Sequence, residues 1–169
     1  MTKLQTEAQH YEREARRCAA SEQCAFDVRR RLMKHSIDAA VIASIIERLT
    51  QERFIDHVRF CRAYVHDKAT FNRWGVQRIR TELHRRAIPS ELIDEALSQL
   101  DTTETLEQLR HILEHQYPKI KGRSPYERKS KLIAFALRRG YLAEQIFPIV
   151  NQITQGDEDE HLCDDNDTW

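Results

Sequence analysis

The chain has 169 residues, 32% of them charged, with 27 Lys+Arg against 27 Asp+Glu and a formal net charge of zero. That balance conceals an asymmetry: residues 157–169 (DEDEHLCDDNDTW) hold seven acidic and no basic residues, which leaves a body of 27 basic against 20 acidic. A basic body favours a polyanionic or acidic partner, whereas an acidic segment of this kind reads as a solvated, disordered terminus.

Only four glycines and four prolines occur, and few strand-like alternations survive inspection, so the predicted class is all-α. The longest mostly apolar run, Ala39–Ile46, is too short to cross a bilayer, and no apolar N-terminal signal segment is visible. No membrane association is expected. Cys18, Cys24, Cys61 and Cys163 show neither CxxC spacing nor a dense framework, and read as free thiols of a cytoplasmic protein.

An internal repeat is the strongest signal. At an offset of 51, Val28 falls on Ile79, Leu32 on Leu83, Ile37 on Ile88, Val41 on Leu92, Ile42 on Ile93, Ile46 on Leu97 and Leu49 on Leu100. At a further offset of 53, Leu132, Tyr141, Ile146, Val150 and Ile153 take the places of Ile79, Ile88, Ile93, Leu97 and Leu100. A period near fifty with helical spacing inside each copy predicts a helical repeat array. Three three-helix units follow, at 5–53, 54–101 and 102–155, with a disordered acidic tail at 156–169.

In the first unit a charged helix near Glu7–Ala20 carries Tyr11, Ala15 and Cys18 along one stripe. Ser21 is the predicted N-cap of a helix to about His35 with Phe26, Val28, Leu32 and Met33 turned inward, and Asp38 caps the third helix. In the second unit Asp56 is the N-cap, and Val58, Cys61 and Val65 share one face with Phe60 and Tyr64 beside them. Asn72-Arg73-Trp74-Gly75 breaks that helix, glycine supplying a φ that other residues resist. Pro89 is placed in the first turn of the next apolar helix. The third unit starts near Thr103 with a stripe of Leu106, Leu109, Ile112 and Leu113. Ser124-Pro125 caps and opens a helix that ends at Gly140. The last helix covers about Leu142–Thr154, with Pro148 implying a kink or a late start.

No phosphate-cradling glycine loop and no nucleophile elbow is present. His111-Ile-Leu-Glu-His115 has the H-x-x-E-H pattern of inverted zincins, but a working site needs a third protein ligand, and the obvious acidic candidates downstream lie in the tail. The helix is read as presenting these residues to water, so no metal, cofactor or catalytic residue is expected. The basic residues carry the functional reading. Arg29, Arg30, Arg31 and Lys34 belong to the middle helix of the first unit. Arg73, Arg78, Arg80, Arg85 and Arg86 lie in and beside the second unit's, and Lys121, Arg123, Arg128 and Lys131 precede or open the third unit's, with Lys119 and Lys129 among them. In register they form a discontinuous basic stripe able to grip phosphates or an acidic protein surface.

Residues of the second unit carry a family resemblance. Phe54, Asp56, Arg59, Phe60, Ala63 and Tyr64, then Gly75, Arg78, Ile79, Glu82 and Leu83, then Ala87, Ile88, Ile93, Ala96 and Leu97 are similar to successive motifs of the RecX family, the bacterial regulators of the RecA recombinase. Val76 stands where the family often has proline, and Ala87 where it has glycine. The resemblance implies three tandem three-helix units in an elongated, curved array. It also implies a monomeric, non-enzymatic regulator of recombination and repair that lies in the groove of the RecA filament on single-stranded DNA. There it hampers ATP hydrolysis and strand exchange or promotes filament loss. A sequence-nonspecific DNA-binding helical array is the alternative reading of the same arginines.

Overall fold

The computed structural model describes residues 3–160, with side-chain surroundings for 6–155. Among the described residues nine α-helices follow one another: α1 (Lys3–Ala20), α2 (Ala25–Met33), α3 (Ala39–Gln51), α4 (His57–Thr70), α5 (Val76–Arg85), α6 (Ser90–Ser98), α7 (Thr102–Gln116), α8 (Pro125–Arg138) and α9 (Ala143–Glu160). A single 3-10 turn at Tyr117–Lys119 follows α7, where Pro118 ends its regular hydrogen bonding.

The predicted caps at Asp38, Asp56 and Ser124 all form. Asp38 accepts from the amide of Ala40 at 2.8 Å, Asp56 from those of Val58 and Arg59 at 2.9 and 3.0 Å, and Ser124 from that of Glu127 at 3.2 Å. Each side-chain oxygen satisfies an amide that has no partner inside its helix. Ser21 does not cap α2. Cys24 occupies that position, its thiol donating to Asp27 Oδ2 at 3.2 Å on the first turn. The helix is therefore shorter than Ser21–His35, and Phe26 and Met33 point outward at 39% and 64% exposure while Val28 and Leu32 are sealed. Val58 is likewise turned out, and Phe60 joins Cys61 and Val65 inside. The last helix passes through Gly156 to Glu160, beyond the expected end at Thr154, and carries Pro148 inside it. Residues 161–169, with the rest of the acidic tail and Cys163, lie outside the described residues.

The repeat register is visible in burial. Val28, Ile79 and Leu132 are fully buried, as are Ile93 and Ile146, with Ile42 at 2%. Burying each such side chain contributes about 1.5–3 kcal/mol. The backbone repeats as well. Ser36, Ala87 and Gly140, which correspond at the offsets of 51 and 53, all adopt positive φ, at 53°, 56° and 89°. This left-handed residue ends the second helix of each unit and turns the chain into the third.

The chain groups into two compact units, Met1–His66 with Glu82–Ser98, and Asp67–Thr81 with Gln99–Trp169. Residues of α4 and α5 thus belong to both. The first unit has a core built on Val28, Leu32, Ile42, Ile45 and Leu49 with Tyr11 and Cys18 from α1. The second has a core of Leu109, Leu113, Leu132, Ala136, Ile146 and Val150. Cys18, Cys24 and Cys61 are free and buried, and burial pushes the Cys24 thiol up to about 11.

Gly75 corrects one expectation. The left-handed residue of its turn is Arg73, at φ 53°, and not the glycine. Gly75 is required by a close approach: its amide donates to the carbonyl of Arg139 at 2.8 Å, and a Cβ built on it meets the carbonyl carbon of Gly140 at 2.2 Å.

Two substitutions separate these demands. Left-handed backbone costs an L-residue roughly 1–2 kcal/mol, partly offset by the roughly 0.5–1 kcal/mol of extra unfolded-state entropy that glycine brings. Ala87→Gly therefore stabilises by about 0.5–1 kcal/mol and raises the melting temperature by about 2 °C. Gly75→Ala forces backbone against backbone and costs about 3 kcal/mol. Thermal melts followed by circular dichroism read both.

Candidate functional site

The basic residues that share a stripe in sequence divide into two groups by what their side chains touch. Arg31 of α2 is turned onto α1. Its Nε and Nη2 donate to Glu14 Oε2 at 3.1 and 2.8 Å and its Nη1 to Gln23 Oε1 at 2.9 Å. Glu14 is only 1% exposed and also accepts from Arg17 at 2.8 Å. A carboxylate so enclosed needs its cations, because an unpaired buried charge is far costlier than a paired one. Arg86 plays the same part between α2 and α5. It donates to Asp27 Oδ2 at 3.2 Å and to Glu82 Oε2 at 3.0 Å, and its guanidinium lies over the Tyr64 ring at 5.0 Å. Arg31 and Arg86 are thus tied into the fold.

Other cations are partly neutralised at the surface. Arg30 lies 3.6 Å from Asp27 and Arg85 3.1 Å from Glu82, both on exposed side chains where such pairs contribute little. Lys131 bonds Glu127 at 2.6 Å and the carbonyl of Lys121 at 2.8 Å, and that lysine, with the amide of Arg123, lowers the pKa of Glu127. Arg128 lies over the Tyr117 ring at 4.4 Å, and Lys119 sits 2.9 Å from His115 Nε2. Arg80 is half-buried.

A third set is exposed and has no carboxylate partner among the described residues. Arg29 and Lys34 belong to it on and just after α2, Arg73 in the turn before α5 and Arg78 in its first turn, and Lys121 and Arg123 in the connector before α8. Arg78 is stacked on Trp74 with its guanidinium carbon 3.9 Å from the ring centroid, a contact that orients the fork and leaves the charge in place. Each repeat therefore presents at least two unneutralised cations. The H-x-x-E-H residues His111, Glu114 and His115 are all exposed, on the side of α7 opposite Leu109, Ile112 and Leu113.

The sequence reading missed Glu14, Asp27 and Glu22 as acidic partners of these arginines. Glu14 carried a signal, since it lies three residues after Tyr11 and four before Cys18, on the buried stripe of α1. The pairing of Arg59 with Glu22 at 3.0 Å and of Arg86 with Asp27 spans 37 and 59 residues, and no local pattern reveals it.

This division predicts opposite stability effects for adjacent arginines. Arg31→Ala and Arg86→Ala each lower unfolding stability by about 2 kcal/mol by stranding a buried or half-buried carboxylate. Arg29→Ala and Arg123→Ala change it by less than about 0.5 kcal/mol. Urea titration of the four variants measures the difference.

Comparisons with known proteins agree with this architecture. Family models describing the second and third three-helix domains of RecX match residues 56–97 and 102–150. The chain is 29% identical over 129 residues to the Regulatory protein RecX of Clostridium tetani, covering 75% of this chain and 59% of that one. It is 29% identical over 145 residues to that of Leptothrix cholodnii, covering 85% of each, and 31% identical over 121 residues to that of Trichlorobacter lovleyi, covering 70% of this chain and 79% of that one. A crystal structure of regulatory protein RecX superposes with a TM-score of 0.73 at 17% identity, over 89% of this chain and 73% of that one. The crystal structure of RecX from Lactobacillus salivarius gives 0.63 at 17% identity, over 90% and 96%, and both likenesses describe the fold. By its two matched domains and its relatives, the chain belongs to the RecX family of regulatory proteins.

Proposed function

We propose that this protein binds the RecA filament formed on single-stranded DNA, lies along its helical groove, and inhibits its ATPase and strand-exchange activity without catalysing a reaction of its own. It acts in the cytoplasm as a monomer, and its three repeats at 5–53, 54–101 and 102–155 serve as successive contact modules. One observation carries the reading beyond family membership: each repeat keeps at least two cations that its own carboxylates do not neutralise, among them Arg29 and Lys34, Arg73 and Arg78, Lys121 and Arg123. Recurrent, unneutralised charge suits a partner that itself repeats, since each module then meets an equivalent acidic or phosphate-bearing surface. Arg31 and Arg86 support the modules from inside, and Arg30, Arg80, Arg85, Arg128 and Lys131 lie around the contact.

The expected outcome is inhibition of RecA's single-stranded-DNA-dependent ATPase at well below one protein per RecA monomer. The variant Arg29→Glu/Lys34→Glu/Lys121→Glu/Arg123→Glu keeps its melting temperature and raises the half-inhibitory concentration at least tenfold. Full inhibition by that folded variant removes these side chains from the mechanism, and no inhibition by the native protein removes the filament reading.

A further inference from the structure

We propose that the surface where the turn at residues 71–78 meets the turn at residues 138–141 is a binding site for single-stranded nucleic acid, in which Arg73, Arg78, Arg138 and Arg139 hold phosphates and Phe71 stacks on an unpaired base. All of these residues belong to the second compact unit. They lie far apart in sequence and are brought together by backbone. The amide of Gly75 donates to the Arg139 carbonyl at 2.8 Å, that of Gln77 to the Gly140 carbonyl at 3.0 Å, and the Tyr141 hydroxyl to the Arg73 carbonyl at 3.3 Å. The absence of a side chain at Gly140 lets Arg78 approach so closely that a Cβ there meets the Arg78 Cβ at 2.4 Å. Arg139 Nη1 donates to the carbonyl of Asn72 at 3.5 Å, which places that guanidinium beside Phe71 and Arg73.

Arg73, Arg78, Arg138 and Arg139 gather here, and the segments 67–81 and 138–141 that carry them contain a single carboxylate, Asp67. Among the described residues none of the four proposed arginines has an ion-pair partner. Two of them are fixed by aromatic contacts, Arg78 over Trp74 at 3.9 Å and Arg139 over Phe135 at 4.8 Å. A stacked guanidinium keeps its edge N–H groups for a phosphate and loses little entropy on binding.

Phe71 determines the form of the ligand. It is 74% exposed, two residues before Arg73, in the segment that hydrogen bonds from Gly75 and Gln77 join to residues 139–140. An exposed ring among arginines is the pairing that holds single strands, whose bases are free to stack, and a duplex presents no such face. Arg138 and Arg139 end α8, and their place at the negative end of its dipole accounts for their type but not for their convergence with Arg73 and Arg78.

The test is fluorescence anisotropy of labelled oligo(dT) with the full chain and no RecA, so that its failure leaves the filament reading standing. Native protein binds, and Arg73→Glu/Arg138→Glu weakens binding at least tenfold and flattens the dependence of log K on log salt by about 1.4, the loss expected for two phosphate contacts. Phe71→Ala weakens it at least fivefold and Phe71→Trp restores it, while binding of a duplex is unchanged by Phe71→Ala. Tighter binding to oligo(dT) than to oligo(rU) identifies DNA as the ligand, and the reverse identifies RNA. The site is overturned if native protein does not bind either strand, or if the folded seam variants bind as native does. It is equally overturned if Arg16→Glu/Arg62→Glu, the same change of charge elsewhere, costs as much.

Discussion

The fold depends on a residue with left-handed backbone at the end of the second helix in every repeat. Ser36, Ala87 and Gly140 each turn the chain from the second helix toward the third, and in the first and third repeats the third helix packs against the second. Val28 and Leu132 are sealed by that packing, and Ile42 and Ile146 join them in the same cores. Serine and alanine accept a strained backbone here because the burial it permits outweighs a penalty of roughly 1–2 kcal/mol. In the third repeat the position must be glycine for a second reason, since Arg78 approaches too closely for any Cβ. One local conformation therefore serves the repeat geometry everywhere and assembles a charged surface in one place.

Charge is the second organising quantity, and burial decides what each arginine does. Arg31 and Arg86 face carboxylates that are largely withdrawn from water, Glu14 and Asp27, and act as ties between helices. Arg29 and Lys34, on the outer side of the same α2 region, find no such partner among the described residues. A uniform basic stripe is thus an incomplete description. The protein uses some of its arginines to hold itself together and leaves others exposed and unneutralised in every repeat.

Much of the fold was legible in the sequence because it is carried by local spacing. The apolar register at 51 and 53, the caps Asp38, Asp56 and Ser124, and the stop at Gly140 all follow from patterns within a few residues. Phe26, Met33 and Val58 misled because hydrophobic type does not say which flank of a stripe faces water. Cys24 as the start of α2 was hidden by Ser21, a better capping residue by type but placed too early. Gly75 was recognised as necessary and explained by the wrong constraint, since its partner Gly140 is 65 positions away. The site was less legible for the same reason: Arg31 and Arg29 look alike until Glu14 is placed, and the meeting of Arg73 with Arg139 exists only in three dimensions.

The most direct test of this account is a cryo-electron microscopy reconstruction of RecA filaments on single-stranded DNA decorated with the native protein below saturation. The account predicts continuous density along the helical groove, fewer than one copy per RecA protomer, with the outer face of α2 and the connector before α8 turned toward the filament. Density confined to the filament end, or a groove left empty while the protein coats bare DNA, contradicts it.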